Sequence, residues 1–101
     1  MDSRVTKKYL NTVLSVCCAT FEVTPEQVRS VSRKEEIVQC RKAFAVVSFE
    51  LYKLKYEMIG ATIGKSGNQI KEYLKTQPTS GLYPLLVKLI KEKLNDNITL
   101  M

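Results

Sequence analysis

Hydrophobic side chains recur at helical spacing along most of the chain. Nearest the N-terminus, a stripe at three- and four-residue steps consists of Leu10, Val13, Leu14, Cys17 and Phe21. This period predicts an amphipathic helix from about Arg4 to Thr20. A capping residue, a proline and a glutamine follow in Thr24-Pro25-Glu26-Gln27, so a short helix is expected to begin at the proline, with Val28 and Val31 facing inward.

A longer helix is predicted in the middle of the chain. Ser32 and Glu35 have the spacing of a capping box, and the apolar stripe that follows runs through Ile37, Cys40, Phe44, Val47, Leu51 and Leu54. The segment from Ala43 to Tyr52 is rich in β-branched and aromatic residues, which is also typical of a strand. We favour a helix because the helical stripe continues on both sides of this segment.

A helix, a tight turn and a second helix are predicted next. The first helix is expected from about Lys55 to Ile63, and Gly64-Lys65 then turns the chain. Ser66 and Gln69 repeat the capping-box spacing. A helix is therefore expected over about residues 66–76, with its inward face formed by Ile70, Tyr73 and Leu74.

The last predicted helix follows a break at Pro78-Thr79-Ser80-Gly81 and occupies about residues 80–97. Asn95 to Asn97 are expected to end it, and its apolar positions are Leu82, Leu86, Leu89, Ile90 and Leu94. With 45% hydrophobic residues, the chain has enough apolar material for a modest core. The patterning predicts an all-α bundle of about five to six helices in one domain covering residues 1–101.

Charge points to a polyanionic partner. Sixteen basic against ten acidic residues give a net charge of +6 and a pI near 9.3. Such a balance favours binding to phosphates through neutralisation and counterion release. No apolar run approaches the roughly 20 residues of a membrane span, so a cytoplasmic protein with no membrane partner is expected.

Catalytic and metal chemistry find little support in the sequence. The chain has no histidine and its three cysteines form no Cys-x-x-Cys pair, so no metal or other cofactor is expected. Cys17 ends an apolar stripe and is interpreted as a small buried hydrophobe. The segment GATIGKS is one spacer short of a phosphate-binding loop, and the acidic residues are scattered. We therefore expect a non-enzyme.

The helix predicted over residues 66–76 carries the candidate binding groups. Ser66 and Gly67 stand at its start, where free N–H groups are available to a phosphate. The amides of Asn68 and Gln69 suit the N6 and N7 edge of adenine, and the phosphate-contacting cations are expected to be Lys65, Lys71 and Lys75. The alternative is that these are ordinary solvated residues and that the Gln69 side chain is engaged in the capping box of its own helix.

A longer pattern carries a family resemblance. SVSRKEEIVQCRKAFAVVSFELYKLKYEMIGATIGKSGNQI resembles the DNA-binding C-terminal domain of the bacterial replication initiator DnaA, with a Ser-x-x-Arg helix entry, a later arginine and an Ile-Gly-x-x-x-Gly turn. The similarity covers about residues 8–76 and leaves the last helix as an addition. It implies a Trp-repressor-like helix-turn-helix domain that binds double-stranded DNA. A nucleoid-associated protein of a bacterium or phage would follow, as a freestanding relative without the ATP-binding domain.

The resemblance also implies roles for individual residues. Arg33 matches an arginine that enters the minor groove, with Lys34 beside it among the DNA-binding residues, and Arg41 and Lys42 fall where the family contacts phosphates. The base-reading stretch departs from the family, which carries Asp-His-Ser/Thr-Thr-Val where this chain has residues 66–70, SGNQI. A different target sequence or weak specificity is therefore expected.

Two alternatives remain open. Gly64-Lys65-Ser66-Gly67 also resembles the Gly-x-x-Gly loop of KH domains, which clamp single-stranded RNA or DNA; that fold requires strands beside the loop. The second alternative is a helical adaptor that binds another protein, through a surface at Leu82 to Leu94 or around Tyr52, Tyr56 and Tyr73. The target sequence, the oligomeric state and a role in replication, transcription or a mobile element stay undetermined by the sequence.

Overall fold

Residues 3–100 fold into six helices, in the segments where apolar residues recur at helical spacing. The computed structural model describes the backbone of residues 3–100 and the side chains of residues 5–95. In chain order the helices are α1 (Ser3–Phe21), α2 (Pro25–Arg29), α3 (Glu35–Tyr52), α4 (Tyr56–Thr62), α5 (Gly67–Lys75) and α6 (Tyr83–Leu100). Residues 3–100 contain no strand, so the predicted all-α bundle is confirmed.

The core lies between α1 and α3, which cross the middle of the bundle. Each presents a stripe of fully buried side chains, including Val13 and Cys17 on α1 and Phe44 and Val47 on α3. Helix α6 packs against these two helices, and α4 and α5 pack against each other and against α3. This arrangement leaves the outer face of α5 to solvent.

Helix α3 settles the choice between helix and strand for Ala43 to Tyr52. The whole segment is helical, as the continuous stripe predicted. The helix ends at Tyr52 because Lys53 adopts a left-handed conformation with φ of 54° and donates its N–H to the Phe49 carbonyl oxygen. Leu54 is buried, but it lies beyond the helix that was predicted to include it.

The helix caps are confirmed at α2 and wrong at α3. The Thr24 N–H donates to Gln27 Oε1 at 2.8 Å, and the Gln27 N–H donates to Thr24 Oγ1 at 3.1 Å, which completes a capping box. The predicted cap at Ser32 does not form: α3 begins after Lys34, and Ser32 Oγ accepts the Lys34 N–H inside the preceding loop. Ser32 therefore lies in the loop, two residues before Lys34, which is the N-cap of α3.

Two predicted burial patterns are also wrong. Val31 was expected to face inward with Val28, but α2 stops at Arg29 and the Val31 side chain is 91% exposed. On α6, Ile90 and Leu94 are buried as expected, whereas Leu82 and Leu89 of the same predicted face are exposed. Helix α6 also continues to Leu100, past its predicted end at Asn95 to Asn97.

Candidate nucleic-acid interface

The turn between α4 and α5 is closed by a direct backbone contact. The Lys65 N–H donates to the Gly60 carbonyl oxygen at 2.8 Å. A Cβ atom at Gly60 would lie 2.3 Å from the Lys65 carbonyl oxygen, so only glycine fits this approach. Gly64 adopts φ of +68°, which reverses the chain within the turn. The two glycines together fix the angle at which α5 leaves α4.

Helix α5 has one buried face and one face in solvent. Ser66 is its N-cap, and Ser66 Oγ accepts the backbone N–H of Gln69 at 3.2 Å. This cap uses the backbone of Gln69 and leaves its side-chain amide at the surface. Ile70 and Tyr73 are buried against the core, while the exposed positions are Asn68, Gln69, Lys71, Glu72 and Lys75.

The interior position of Arg41 corrects its predicted phosphate contact. Its side chain is 4% exposed. Nε donates to the Val28 carbonyl oxygen at 2.8 Å and Nη1 to that of Ser32 at 2.7 Å. Nη2 donates to the carbonyl oxygens of Ser30 at 2.7 Å and Gln27 at 3.4 Å. The guanidinium therefore caps the C-terminus of α2 and holds the loop that follows, so its donors are occupied within the protein.

Two further side chains connect this region to the α4–α5 turn, one from the turn to the loop and one from the last residue of α2 to the last residue of α4. Lys65 Nζ donates to the Ser30 carbonyl oxygen at 3.4 Å, and Arg29 Nε donates to the Thr62 carbonyl oxygen at 3.0 Å. Partial burial lowers the pKa of Lys65, and the nearby Arg41 guanidinium lowers it further. These contacts join residues more than 30 positions apart and hold the loop close to the start of α5.

A cleft of about 430 Å³ runs between that loop and α5. Its charged lining residues are cations, and the full lining consists of Val31, Arg33, Val38, Arg41, Lys65, Gln69 and Tyr73. Arg33 and Gln69, which the sequence places in separate elements, thus share one solvent-facing cleft. We call this feature the cationic cleft.

The Lys42 side chain, like that of Arg41, bonds to a backbone carbonyl group of the protein. Its Nζ donates to the Thr76 carbonyl oxygen at 3.1 Å, at the C-terminal end of α5. Gln77 Nε2 completes the connection by donating to the Lys42 carbonyl oxygen at 3.1 Å and to that of Tyr73 at 2.8 Å. The structure therefore gives Lys42 a bond that secures α5, a role the sequence did not suggest. The predicted cations at the surface are Arg33, Lys34, Lys71 and Lys75.

The tyrosines named for an adaptor surface all pack against the core, Tyr73 as a buried residue and Tyr52 and Tyr56 as half-buried ones. The Tyr52 ring stacks on that of Tyr9, with the ring centroids 5.1 Å apart. The Tyr56 ring lies against Phe49, and Tyr73 is 8% exposed. Aromatic packing accounts for these residues.

Sequence reasoning missed Val31 as a surface residue and missed a second basic area. Lys7 and Asn11 of α1 line a neighbouring cleft with Arg29 and Thr62. The exposure of Val31 could have been predicted only by placing the end of α2 correctly at Arg29, because a residue two positions beyond a helix no longer follows the helical period. Arg29 could have been noticed in the sequence as a basic residue in the last turn of the predicted second helix.

The three cysteines lie inside the bundle as small hydrophobes. Cys17, Cys18 and Cys40 are buried free thiols, and burial raises the pKa of the Cys17 thiol. Within the residues the structure describes, no group of three or more histidine, cysteine or carboxylate side chains is placed to hold a metal ion. The described helices also include none with the length and apolar character of a membrane span.

Comparison of the chain with protein-family models, with curated proteins and with solved structures gives no match.

Proposed function

We propose that this chain is a non-enzymatic helix-turn-helix module that binds duplex DNA, with α5 as its recognition helix in the major groove. One observation carries the proposal: Gln69 of α5 and Arg33 of the α2–α3 loop line the same cationic cleft. A base-reading amide and a guanidinium beside it are the groups that a duplex reader requires.

The first turn of α5 is the part that reads bases. In helix-turn-helix proteins, residues near the N-terminus of the second helix contact base edges. Asn68 and Gln69 occupy this turn, and both are exposed. An amide side chain pairs in two directions with the N6 and N7 atoms of adenine, so the target contains adenine at the contacted position. Lys71 and Lys75 follow on the exposed side of α5 and bind backbone phosphates.

The cationic cleft is where one sugar-phosphate strand sits. A single strand of the duplex separates the major groove from the minor groove. With α5 in the major groove, the strand beside it enters the cleft between Gln69 and Arg33. Lys65, which also lines the cleft, neutralises its phosphates. Arg33 then extends to the minor groove, where a narrow A·T-rich segment attracts a guanidinium.

The resemblance to the DNA-binding domain of the replication initiator DnaA supports the same conclusion. That resemblance rests on the sequence, which has an Ile-Gly-x-x-x-Gly turn at residues 59–64 and places Arg33 before α3. A KH domain would require strands beside the loop Gly64-Lys65-Ser66-Gly67, and residues 3–100 contain none. We therefore favour a divergent, Trp-repressor-like relative that acts on duplex DNA in a bacterium or phage.

Selection from random duplex DNA tests the proposal. The chain is expected to enrich a short duplex motif at low ionic strength and to bind it more tightly than either of its separated strands. Arg33→Ala and Lys71→Ala should each weaken this binding. Preference for a single strand would instead support the KH-like alternative, and failure to bind either ligand at low salt would exclude both nucleic-acid functions.

One observation favours a second candidate function, a protein-binding adaptor. Leu82, just before α6, is 70% exposed, and Leu85 and Leu89 on α6 are 63% and 39% exposed; α6 packs on α1 and α3 away from α5. An adaptor that does not bind DNA predicts no change in DNA affinity for Arg33→Ala or Lys71→Ala. The same titrations therefore distinguish the two functions.

A further inference from the structure

A second cleft lies beside the contacts that connect α2 to the α4–α5 turn. It has a volume of about 490 Å³ and lies between α1, α2 and α4, which line it through Lys7, Leu10, Asn11, Arg29, Met58 and Thr62, among others. We call it the α1–α4 cleft. Its charged lining residues are both cations, Lys7 and Arg29. The proposed function gives this cleft no role.

The Arg29 guanidinium is fixed at one nitrogen and exposes the other two. Its Nε donates to the Thr62 carbonyl oxygen at 3.0 Å, and the residue is exposed. Within residues 5–95, its Nη1 and Nη2 groups have no hydrogen-bond acceptor. A guanidinium held in this way is preorganised to donate to the oxygens of a phosphate, so binding costs little additional conformational entropy.

Neither cation of the α1–α4 cleft is neutralised by a carboxylate in the part of the chain whose side chains are described. The ion pair found there joins Lys91 of α6 to Glu50 of α3. Glu26 precedes Arg29 by three positions on α2, but the two side chains form no ion pair. Lys7 is exposed on α1. Two unpaired cations at one cleft create a positive potential that attracts an anion.

A narrow ridge separates the α1–α4 cleft from the cationic cleft. Two hydrogen bonds form the ridge, from Arg29 Nε to the Thr62 carbonyl oxygen and from Lys65 Nζ to that of Ser30. Arg29 and Thr62 line the α1–α4 cleft, whereas Val31 and Lys65 line the cationic cleft. Arg29 and Val31 are two residues apart in the chain, so their Cα atoms lie at most about 7.6 Å apart. The two clefts are therefore immediate neighbours.

We propose that the α1–α4 cleft is a second phosphate-binding site, in which Arg29 and Lys7 bind the sugar-phosphate backbone of the same DNA. The inference rests on the proposed duplex binding, in which one strand already occupies the cationic cleft. A strand carries one phosphate for roughly every 3.4 Å of helix axis. A strand that crosses the ridge therefore brings its next phosphates to Arg29. Such contacts add affinity and fix the position of α5 without reading sequence.

Uncharged phosphates locate the second site. Each phosphate of the selected duplex and its flanks is replaced in turn by a methylphosphonate, and the affinity of the full chain is measured. At one phosphate or more, the parent should bind roughly five- to tenfold more weakly at 0.1 M salt, as the loss of one contact requires. The same replacement should weaken Lys7→Gln by less than about twofold, because that variant has already lost the contact. Arg29→Gln should behave alike at this phosphate or its neighbour.

Lys8→Gln provides the matched control. Lys8 is the next residue on α1 and is also exposed, but it does not line the α1–α4 cleft. This variant should show the full loss at every phosphate where the parent shows it. Lys7→Gln should select the same duplex motif as the parent, since a phosphate contact carries no sequence information. Because Lys7 is on the surface, the variant should also keep the free energy of unfolding of the parent.

Three results would overturn the inference. These are losses in Lys7→Gln that equal those of the parent at every phosphate, the same insensitivity in Lys8→Gln as in Lys7→Gln, and a changed motif for Lys7→Gln. Each leaves the proposed function intact because the parent chain still binds its duplex. If the parent binds no duplex at low salt, the proposed function fails and this inference fails with it.

Discussion

Arg41 donates a 2.7 Å hydrogen bond from Nη2 to the carbonyl oxygen of Ser30. The bond joins the middle of the bundle to the surface loop that carries Arg33. A residue that resembles a DNA ligand by its position in the sequence instead orders the residues that face DNA in the proposed complex. This division of roles between a buried arginine and an exposed one leads to the first prediction.

Replacing Arg41 should destabilise the fold. Arg41→Met removes the donors for four carbonyl groups, so we expect the free energy of unfolding to fall by about 3 kcal/mol, as for other broken buried networks. Urea denaturation measures the difference. Arg33→Met is the matched control because Arg33 is exposed, and it should change stability by no more than about 0.5 kcal/mol. Equal effects of the two variants would contradict the role assigned to Arg41.

Gly60 should tolerate no side chain. In Gly60→Ala, the new Cβ atom would meet the Lys65 carbonyl oxygen at 2.3 Å, and a backbone atom has little freedom to move away. We expect a loss of about 2–3 kcal/mol in the free energy of unfolding, measured in urea. Gly67→Ala is the control, since its Cβ would lie 3.3 Å from Glu57 Oε1 at the end of a flexible side chain. That variant should be neutral or gain up to about 1 kcal/mol from helix propensity.

Phosphate contacts should appear in the salt dependence of DNA binding. Lys71→Ala and Lys75→Ala should each weaken binding to the selected duplex and reduce the slope of log K against log salt by about one. Fluorescence anisotropy at several salt concentrations gives the slope. Lys88→Ala removes another exposed cation from α6, which packs on α1 and α3, and should leave the slope unchanged. Identical slopes for all three variants would assign the salt dependence to overall charge.

Base contacts should appear in sequence preference. Gln69→Ala should cost about 1–3 kcal/mol of binding free energy on the selected duplex and relax the preference at one base pair, because the amide that pairs with the base is lost. Asn68→Ala should do the same at a neighbouring pair. Repeating the selection with each variant identifies the affected position. A uniform loss over all sequences, as expected for Lys75→Ala, would show that these amides do not read bases.

Stability should decrease in alkaline solution through Tyr83. Burial raises the pKa of Tyr83 above its ordinary value of 10.0, and the side chain donates a hydrogen bond to Gln77 Oε1. Above pH 10 the unfolded chain therefore loses the tyrosine proton while the folded chain keeps it. The unfolded state then binds fewer protons, so the free energy of unfolding falls by up to about 1.4 kcal/mol per pH unit for this group.

Tyr83→Phe tests that assignment. Urea melts between pH 9 and 11 should show a shallower decline in the variant than in the parent chain, even though the variant starts lower because it lacks the hydrogen bond to Gln77. Tyr73, whose pKa burial also raises, remains in both proteins and contributes equally to their decline. Parallel curves would mean that Tyr83 titrates alike in the folded and unfolded states.

The amino-acid sequence by itself determined the helices and most of the core. The period of apolar residues specifies which face of each helix is buried, and local caps specify where a helix begins, so α1, α4 and α5 were predicted almost to their ends. The same period identified the segment from Ala43 to Tyr52 as helical in spite of its strand-forming composition. These features depend on residues a few positions apart, which is the range that patterning describes.

Only the tertiary structure decided where the side chains of Arg41 and Val31 lie and what they contact. Arg41 bonds to carbonyl groups 9 to 14 positions away, and the sequence shows a basic residue without its acceptors. Val31 appeared to extend the stripe of Val28, but the end of α2 turned it into water. A side chain's partners and exposure depend on how separate elements are placed in space, and that placement also brought Arg33 and Gln69 to one cleft.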